Sequence, residues 1–480
     1  MSAAPSLPNT ATGGPAPGAG SKPGLILATV VSCQLMLVLD GTIVNIALPK
    51  MQKGLHFSDA NLSWVLNAYT LAFGGLLLLG GRAGDILGRR RMFVAGVVVF
   101  TVASFAGGLA VDSGMLLASR VCQGVGAAMA GPSMLALIVA TFPEGVPRVK
   151  AMSLFTAVSS AGGSIGLLLG GVLTSWGSWR LVMFINVPVG IAAAVAASRL
   201  LPDSPRQSGR FDVVGALTSV GGMTSLVYGC VNAAGSGWSD PRTITAIAIA
   251  VVLLAAFVVA ESRVEQPVVP LRLLRDPVRA RGYFGYVLLI GAMFATFFFT
   301  SQFMQKVLHY SPLKTGFAFL PLSVMLFAVA RLVPKLMPRL GARRLVVIGT
   351  VLITVGLFWL SRLSPGTHFA TGLLFPLMLF GFGGGMAFSP LAIMLMSGLP
   401  PRDFGSASGL LQACQQVGGS LGLAVLVTVF SSAAGHGHST VEANTSQGLR
   451  MALLVAAVFA FCVVLVATTL KPRAAPGKPG

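Results

Sequence analysis

Asp40 lies in LVLDGTIVNIALP (37–49), inside a run from Leu25 to Pro49 that holds no other charged residue. Taking a carboxylate out of water costs several kcal/mol, so an acid in such a run points to an ion or proton pathway. Of the thirteen acidic residues none falls between Asp276 and Asp403, which leaves Asp40 as the only acid deep in an apolar segment. If a carboxylate carries the coupling proton, Asp40 is the candidate. Its neighbours on one helical face, Cys33, Leu37 and Val44, are apolar. Arg120, in RVCQGVGAA (120–128), is the one basic residue near the middle of such a segment. A cation there needs a partner or a water-filled cavity, and Gln123 and Gln34 can hydrogen-bond to it. Small residues after it, Gly124, Ala127, Ala128 and Gly131, allow a neighbouring helix to approach closely.

A second group can bind rather than react. FATFFFTSQFMQ (294–305) places Phe294, Phe298, Gln302 and Gln305 near one helical face, and GLLQACQQVGGSLG (409–422) does the same with Gln412, Gln415 and Gln416. With Gln34, Asn45 and Gln123 they would line a cavity for a bulky amphiphile held by apolar contact and few directional bonds. The other reading is lipid-facing Phe with Gln joining helices. Gly162, Gly166 and Gly170 recur at every fourth residue, a stripe for close helix packing. Five scattered cysteines and five histidines in loops offer no metal-ligand spacing, and no phosphate-binding glycine loop is present. No nucleophile and base pattern for an enzyme appears either.

These residues need a membrane to hold them. The 480 residues are 54% hydrophobic and 10% charged, with mean hydropathy +0.83, too apolar for soluble domains. Fourteen segments are long enough to cross about 30 Å of hydrocarbon at 1.5 Å per residue: 25–49, 62–81, 92–111, 115–140, 152–173, 180–200, 212–233, 243–260, 283–306, 314–337, 344–363, 369–395, 405–431 and 449–470. The net charge of +20 comes from short clusters between these segments, not from a face that would bind nucleic acid. The termini and even-numbered connections hold 24 of the basic residues and the odd-numbered connections eight, which puts both termini in the cytoplasm.

Residues 1–24, rich in Pro, Ala and Gly, read as a disordered cytoplasmic tail, and 471–480 as a second tail. Between them the sequence divides into a six-helix bundle (25–200), a linker with two extra helices (201–282) and a second six-helix bundle (283–470). An internal echo supports related halves. GRAGDILGRRRMFVAG (81–96) and PKLMPRLGARRLVVIG (334–349) align without a gap, each joining the second helix of a half to its third. In the first copy Gly81, Gly84 and Gly88 permit a tight turn, and Asp85 stands among Arg82, Arg89, Arg90 and Arg91. That is either a basic loop with a solvated ion pair or a latch between helices; Pro338 replaces the acid in the second copy.

Four stretches, GRAGDILGRRR (81–91), LDGTIVNIALP (39–49), RVCQGVGAA (120–128) and WRLVMFINVPVG (179–190), resemble motifs of the fourteen-helix drug:proton antiporter branch of the major facilitator superfamily. The resemblance runs from about residue 25 to 470. It implies an all-α fold of two six-helix bundles plus two inserted helices, with no bound cofactor and the proton as coupling ion. It implies the latch role for the 81–91 loop and a place for Arg120 in the proton pathway. It also implies a monomer in the cell membrane that exports lipophilic small molecules, drugs or antibiotics, by alternating access. One departure weakens the export direction: Leu167 stands where the fifth-helix motif usually has a proline. An importer or a lipid or metabolite facilitator of the same fold is the alternative. With one deep acid, monovalent or neutral substrates are expected over divalent cations.

Overall fold

The computed structural model describes residues 23–58, 61–143, 146–201, 213–263, 274–397, 404–434 and 441–470. Residues 1–22 of the first predicted tail, the whole of the second and most of the linker to the inserted pair lie outside them, and Pro23 and Gly24 already belong to the first helix. All regular structure among the described residues is helical. The first half holds α1 (Pro23–Leu55), α2 (Trp64–Leu87), α3 (Arg89–Gly108), α4 (Ser113–Thr141), α5 (Val146–Trp176) and α6 (Arg180–Leu200, with a turn at Ile185). Next come α7 (Val213–Ser236) and α8 (Pro241–Arg263). The second half opens with α9 (Pro277–Lys306). The long run Pro312–Leu360 breaks at Gly341 into α10 and α11. Then follow α12 (Phe369–Met396), α13 (Phe404–Ala434) and α14 (Val441–Thr469). Among the described residues these helical segments are consistent with the fourteen apolar stretches of the sequence, and ten helices are long and apolar enough to cross a membrane.

Helix starts follow local chemistry. Asp112 accepts from the backbone N–H of Met115 at 2.9 Å to cap α4. Asp276 and Ser311 cap α9 and α10, each followed by a proline at the first helical position. In α1 the helix continues six residues past Pro49, where the sequence reading ended it. Pro49 has no N–H for the carbonyl of Asn45, and a side chain of the other half takes that carbonyl instead.

The two halves repeat one skeleton. Gly88 and Gly341, paired in the sequence echo, both take positive φ, 104° and 76°, and each makes the turn between two helices. Arg90 donates to the carbonyl of Ser198 at the end of α6, and Arg343 donates to the carbonyl of Thr468 at the end of α14. Gly96 of α3 meets Gly126 of α4 so closely that a Cβ on it would stand 2.6 Å from the Gly126 carbonyl oxygen. The same construction on Gly349 of α11 gives 2.5 Å to the carbonyl of Gly383 in α12.

The inserted pair stands outside both bundles. α7 and α8 pack on each other, and α7 reaches the core, with Leu71 of α2 and Ala424 of α13 in one apolar cluster with Val227 and Val231. Only 17% of the most apolar stretch of α8 is buried, against 72% for α9, so α8 faces lipid and α9 sits at the centre. Grooves of about 510 and 400 Å³ flank the inserted pair, on the α2 side and on the α13 side.

Candidate functional site

Arg120 and Asp40 are both fully buried and meet in an ion pair, Nη1 to Oδ2 at 2.6 Å. α4 brings the arginine in because its glycines remove the bulk that would hold neighbours off. A Cβ on Gly124 would stand 2.6 Å from the Tyr69 carbonyl of α2, and one on Gly126 2.6 Å from the Phe100 nitrogen of α3. The guanidinium then reaches three elements. Its Nε donates to the carbonyl of Val65 at 2.9 Å, Nη1 also donates to Gln123 Oε1 at 2.9 Å, and the group lies 4.5 Å from the centre of the Tyr69 ring. Its Nη2 has no hydrogen-bond partner among the described residues.

The second oxygen of Asp40 is held by amides. Gln123 Nε2 donates to Oδ1 at 3.1 Å and Asn186 Nδ2, from α6, at 2.9 Å. Ser104 of α3 accepts from both amides, at 2.7 and 3.5 Å. Four helices, α1, α3, α4 and α6, therefore close a polar cluster inside the first half. Asp40 was read with apolar neighbours on its own helix; those neighbours stand, and its partners come from α4 and α6 instead. Gln123 bonds Arg120, whereas Gln34 donates to Ser159 of α5 at 2.9 Å. Asn186 and Ser104 escaped the sequence reading, although a lone Asn in the apolar stretch FINVPVG carried the signal.

Toward the C-terminal ends of α1 and α5, the halves touch. Ser301 of α9 donates to the Asn45 carbonyl freed by Pro49, at 3.3 Å, and Gln305 donates to the Ile46 carbonyl at 3.0 Å. The Leu313 backbone N–H donates to Ser175 of α5 at 3.0 Å, and Gly316 of α10 lies against the Leu167 carbonyl. The residues named for a cavity fall as follows. Asn45 and Gln305 lie in the contact between α1 and α9, Phe298 is buried edge-on against Phe299, and Phe294 packs on Gly419 of α13. Gln302 is buried, with neither amide atom partnered among the described residues. Gln412 is exposed, and Gln416 lies against Gly74 of α2. The face they share on α9 is the one that packs against α1 and α13, so helix contact competes with cavity lining there.

The glycine stripe of α5 packs on α1. Cβ atoms on Gly162, Gly166 and Gly170 would meet Val38 at 2.9 Å, Thr42 at 2.0 Å and the Ile43 carbonyl at 2.6 Å. In the 81–91 loop, Gly81 lies beside Pro132 of α4, Gly88 makes the turn, and Arg82 and Arg89 are half-buried. Arg90 ties α3 to α6. The side chain of Asp85 lies outside the described residues.

Residues 30–423 match the Major Facilitator Superfamily. The chain belongs to that superfamily. It is 40% identical over 456 residues to the puromycin resistance protein pur8 of Streptomyces alboniger, covering 92% of this chain and 90% of that one. It is 38% identical over 461 residues to the cephamycin export protein CmcT of Amycolatopsis lactamdurans, 94% of each chain. Among solved structures, a bacterial homologue of the human lysosomal transporter Spinster aligns with TM-score 0.68 at 17% identity, over 95% of this chain and 100% of that one. A peptide transporter of the POT family aligns equally well, at 16% identity, over 95% and 98%. Membership makes the chain a multi-pass membrane transporter and not an enzyme. The all-helical major facilitator architecture is the one found, and the described helices are consistent with a count of fourteen.

Proposed function

We propose that this facilitator exports lipophilic small molecules, drugs or antibiotics among them, and that protons entering through Asp40 drive it. The observation that carries the coupling is the fully buried pair of Asp40 and Arg120 in one half. The substrate class rests on the relatives, which are named for antibiotic resistance and export. The excess of basic residues in the even-numbered connections supports cytoplasmic termini. On that orientation the contacts of Asn45, Ile46 and Ser175 hold the halves together at the outer end. The working unit is a monomer in the cell membrane, and the 81–91 loop is the latch that holds the alternate state.

Protonation does not simply neutralise the site. The pair is neutral at rest, and a proton on Asp40 leaves the charge of Arg120 uncompensated in a low-dielectric interior. The arginine must then be re-partnered, and a second arrangement of the halves that does so is favoured by the proton. Differential affinity of the two arrangements for proton and substrate couples the two fluxes.

Inverted membrane vesicles test this with puromycin, ethidium and a divalent cationic dye. Wild type is expected to accumulate a monovalent or neutral compound under an imposed proton gradient, and Asp40→Asn to lose that accumulation at least about tenfold. Equal accumulation by Asp40→Asn ends the assignment of Asp40. Better accumulation of the dication than of monocations contradicts the substrate class.

A further inference from the structure

Asn186 is 2% exposed and reaches Asp40 from 146 positions along the chain. The direction of every hydrogen bond around it follows from its neighbours. Ser104 donates its O–H to the carbonyl of Phe100 at 2.8 Å, so toward the amides its oxygen accepts. It receives Gln123 Nε2 at 2.7 Å and Asn186 Nδ2 at 3.5 Å. Gln123 is fixed at its other end as well, since its Oε1 accepts from Arg120 Nη1 at 2.9 Å. Both amides therefore turn their NH₂ groups toward Ser104 and Asp40. The carboxylate meets N–H donors from Arg120, Gln123 and Asn186, and these contacts include no acceptor.

A protonated Asp40 carries an O–H that needs an acceptor in a dry interior. The cluster supplies one when an amide turns its oxygen inward. Turning Gln123 would point its NH₂ at the guanidinium, donor against donor. Turning Asn186 breaks only its contacts with Asp40 and Ser104.

We propose that Asn186 is a positioning residue of the coupling step: it holds Asp40 against Arg120 while the acid is charged, and its amide turns to accept the O–H when the proton arrives. Ser104 is the stop that sets the resting orientation. This deepens the reading of Asp40 as the coupling acid and rests on it. Proton binding is thereby tied to a rearrangement of the α1, α3 and α6 contacts, and that tie keeps proton entry and substrate exit obligatory partners.

The test separates coupling from packing. Asn186→Leu keeps the volume and removes both amide functions. In inverted vesicles with radiolabelled puromycin and with ethidium, proton-driven accumulation is expected to fall about tenfold or more. Energy-independent counterflow of the same probes should stay within about threefold of wild type, the size of one interhelical hydrogen bond. Asn186→Ser, whose hydroxyl donates and accepts, should restore part of the driven component. Ser104→Ala, with Asn186 intact, should lower the ratio of driven transport to counterflow in the same direction by a smaller factor. Parallel loss of both activities in Asn186→Leu, with no change of ratio in Ser104→Ala, makes Asn186 a packing residue and overturns the proposal. So does an unchanged ratio in both variants. If Asp40→Asn, run alongside, accumulates the probes like wild type, the coupling reading itself fails; if it loses accumulation while Asn186→Leu does not, only this inference fails.

Discussion

The two halves share a skeleton and differ in what fills it. Counting from the matched glycines Gly96 and Gly349 in α3 and α11, and Gly126 and Gly383 in α4 and α12, the positions of Ser104, Arg120 and Gln123 fall on Leu357, Leu377 and Phe380. All six are fully buried, polar in the first half and apolar in the second. The turn glycines, the helix crossings and the arginine ties to α6 and α14 occur in both. Glycine backbone contacts therefore specify the fold of each half, and the interior they enclose can be filled with ion pairs or hydrocarbon. Filling and architecture are separable here, and the first half holds the buried Asp40–Arg120 pair.

That separation can be broken most directly at Arg120. Arg120→Leu leaves Asp40 charged and unpaired in the interior and should destabilise the purified protein by roughly 3–5 kcal/mol, read as a large fall in thermal midpoint in detergent. At the matched position, Leu377→Met should cost less than about 1.5 kcal/mol. Comparable losses from the two would mean that the halves are not differently filled in any energetic sense. A smaller effect tests the shared skeleton. Gly96→Val and Gly349→Val force a side chain against a facing backbone and should each cost roughly 1–3 kcal/mol, nearly equal in the two halves. Unequal values would show that one crossing is looser than its partner. Smallest are Gly88→Ala and Gly341→Ala. A Cβ at either position meets nothing within 4 Å, so only the positive φ opposes it, at roughly 1 kcal/mol each. A clear difference between them in the same melting assay would assign a latch function to one turn and a plain turn to the other.

Much of the skeleton was legible in the sequence because its determinants are local. The echo of 81–96 in 334–349 carries the turn glycine, the arginine tie and the crossing glycine within sixteen residues. The bond of Arg120 to Gln123 was legible for the same reason, being one turn of one helix. The rest of the cluster was not, because Asp40, Ser104 and Asn186 come from three helices, and hydropathy says nothing of which faces meet. Pro49 misled the other way. Its missing N–H marks a helix end in water, but in lipid the carbonyl it frees can be taken by a neighbouring helix, here through Ser301. The amphipathic face of α9 is ambiguous in the sequence because one spacing serves both a cavity wall and a contact with another helix.

The inserted hairpin has a consequence for how the chain enters the membrane. A repeat whose two copies point the same way tolerates an insertion between them only if the insertion crosses the bilayer twice. One extra helix would send α9 through in the opposite sense and put the turn at Gly341 on the face opposite Gly88. Two helices that pack on each other can be threaded as a unit and leave the polarity of every later segment unchanged. The matching ties of Arg90 and Arg343 are the record of that conserved polarity.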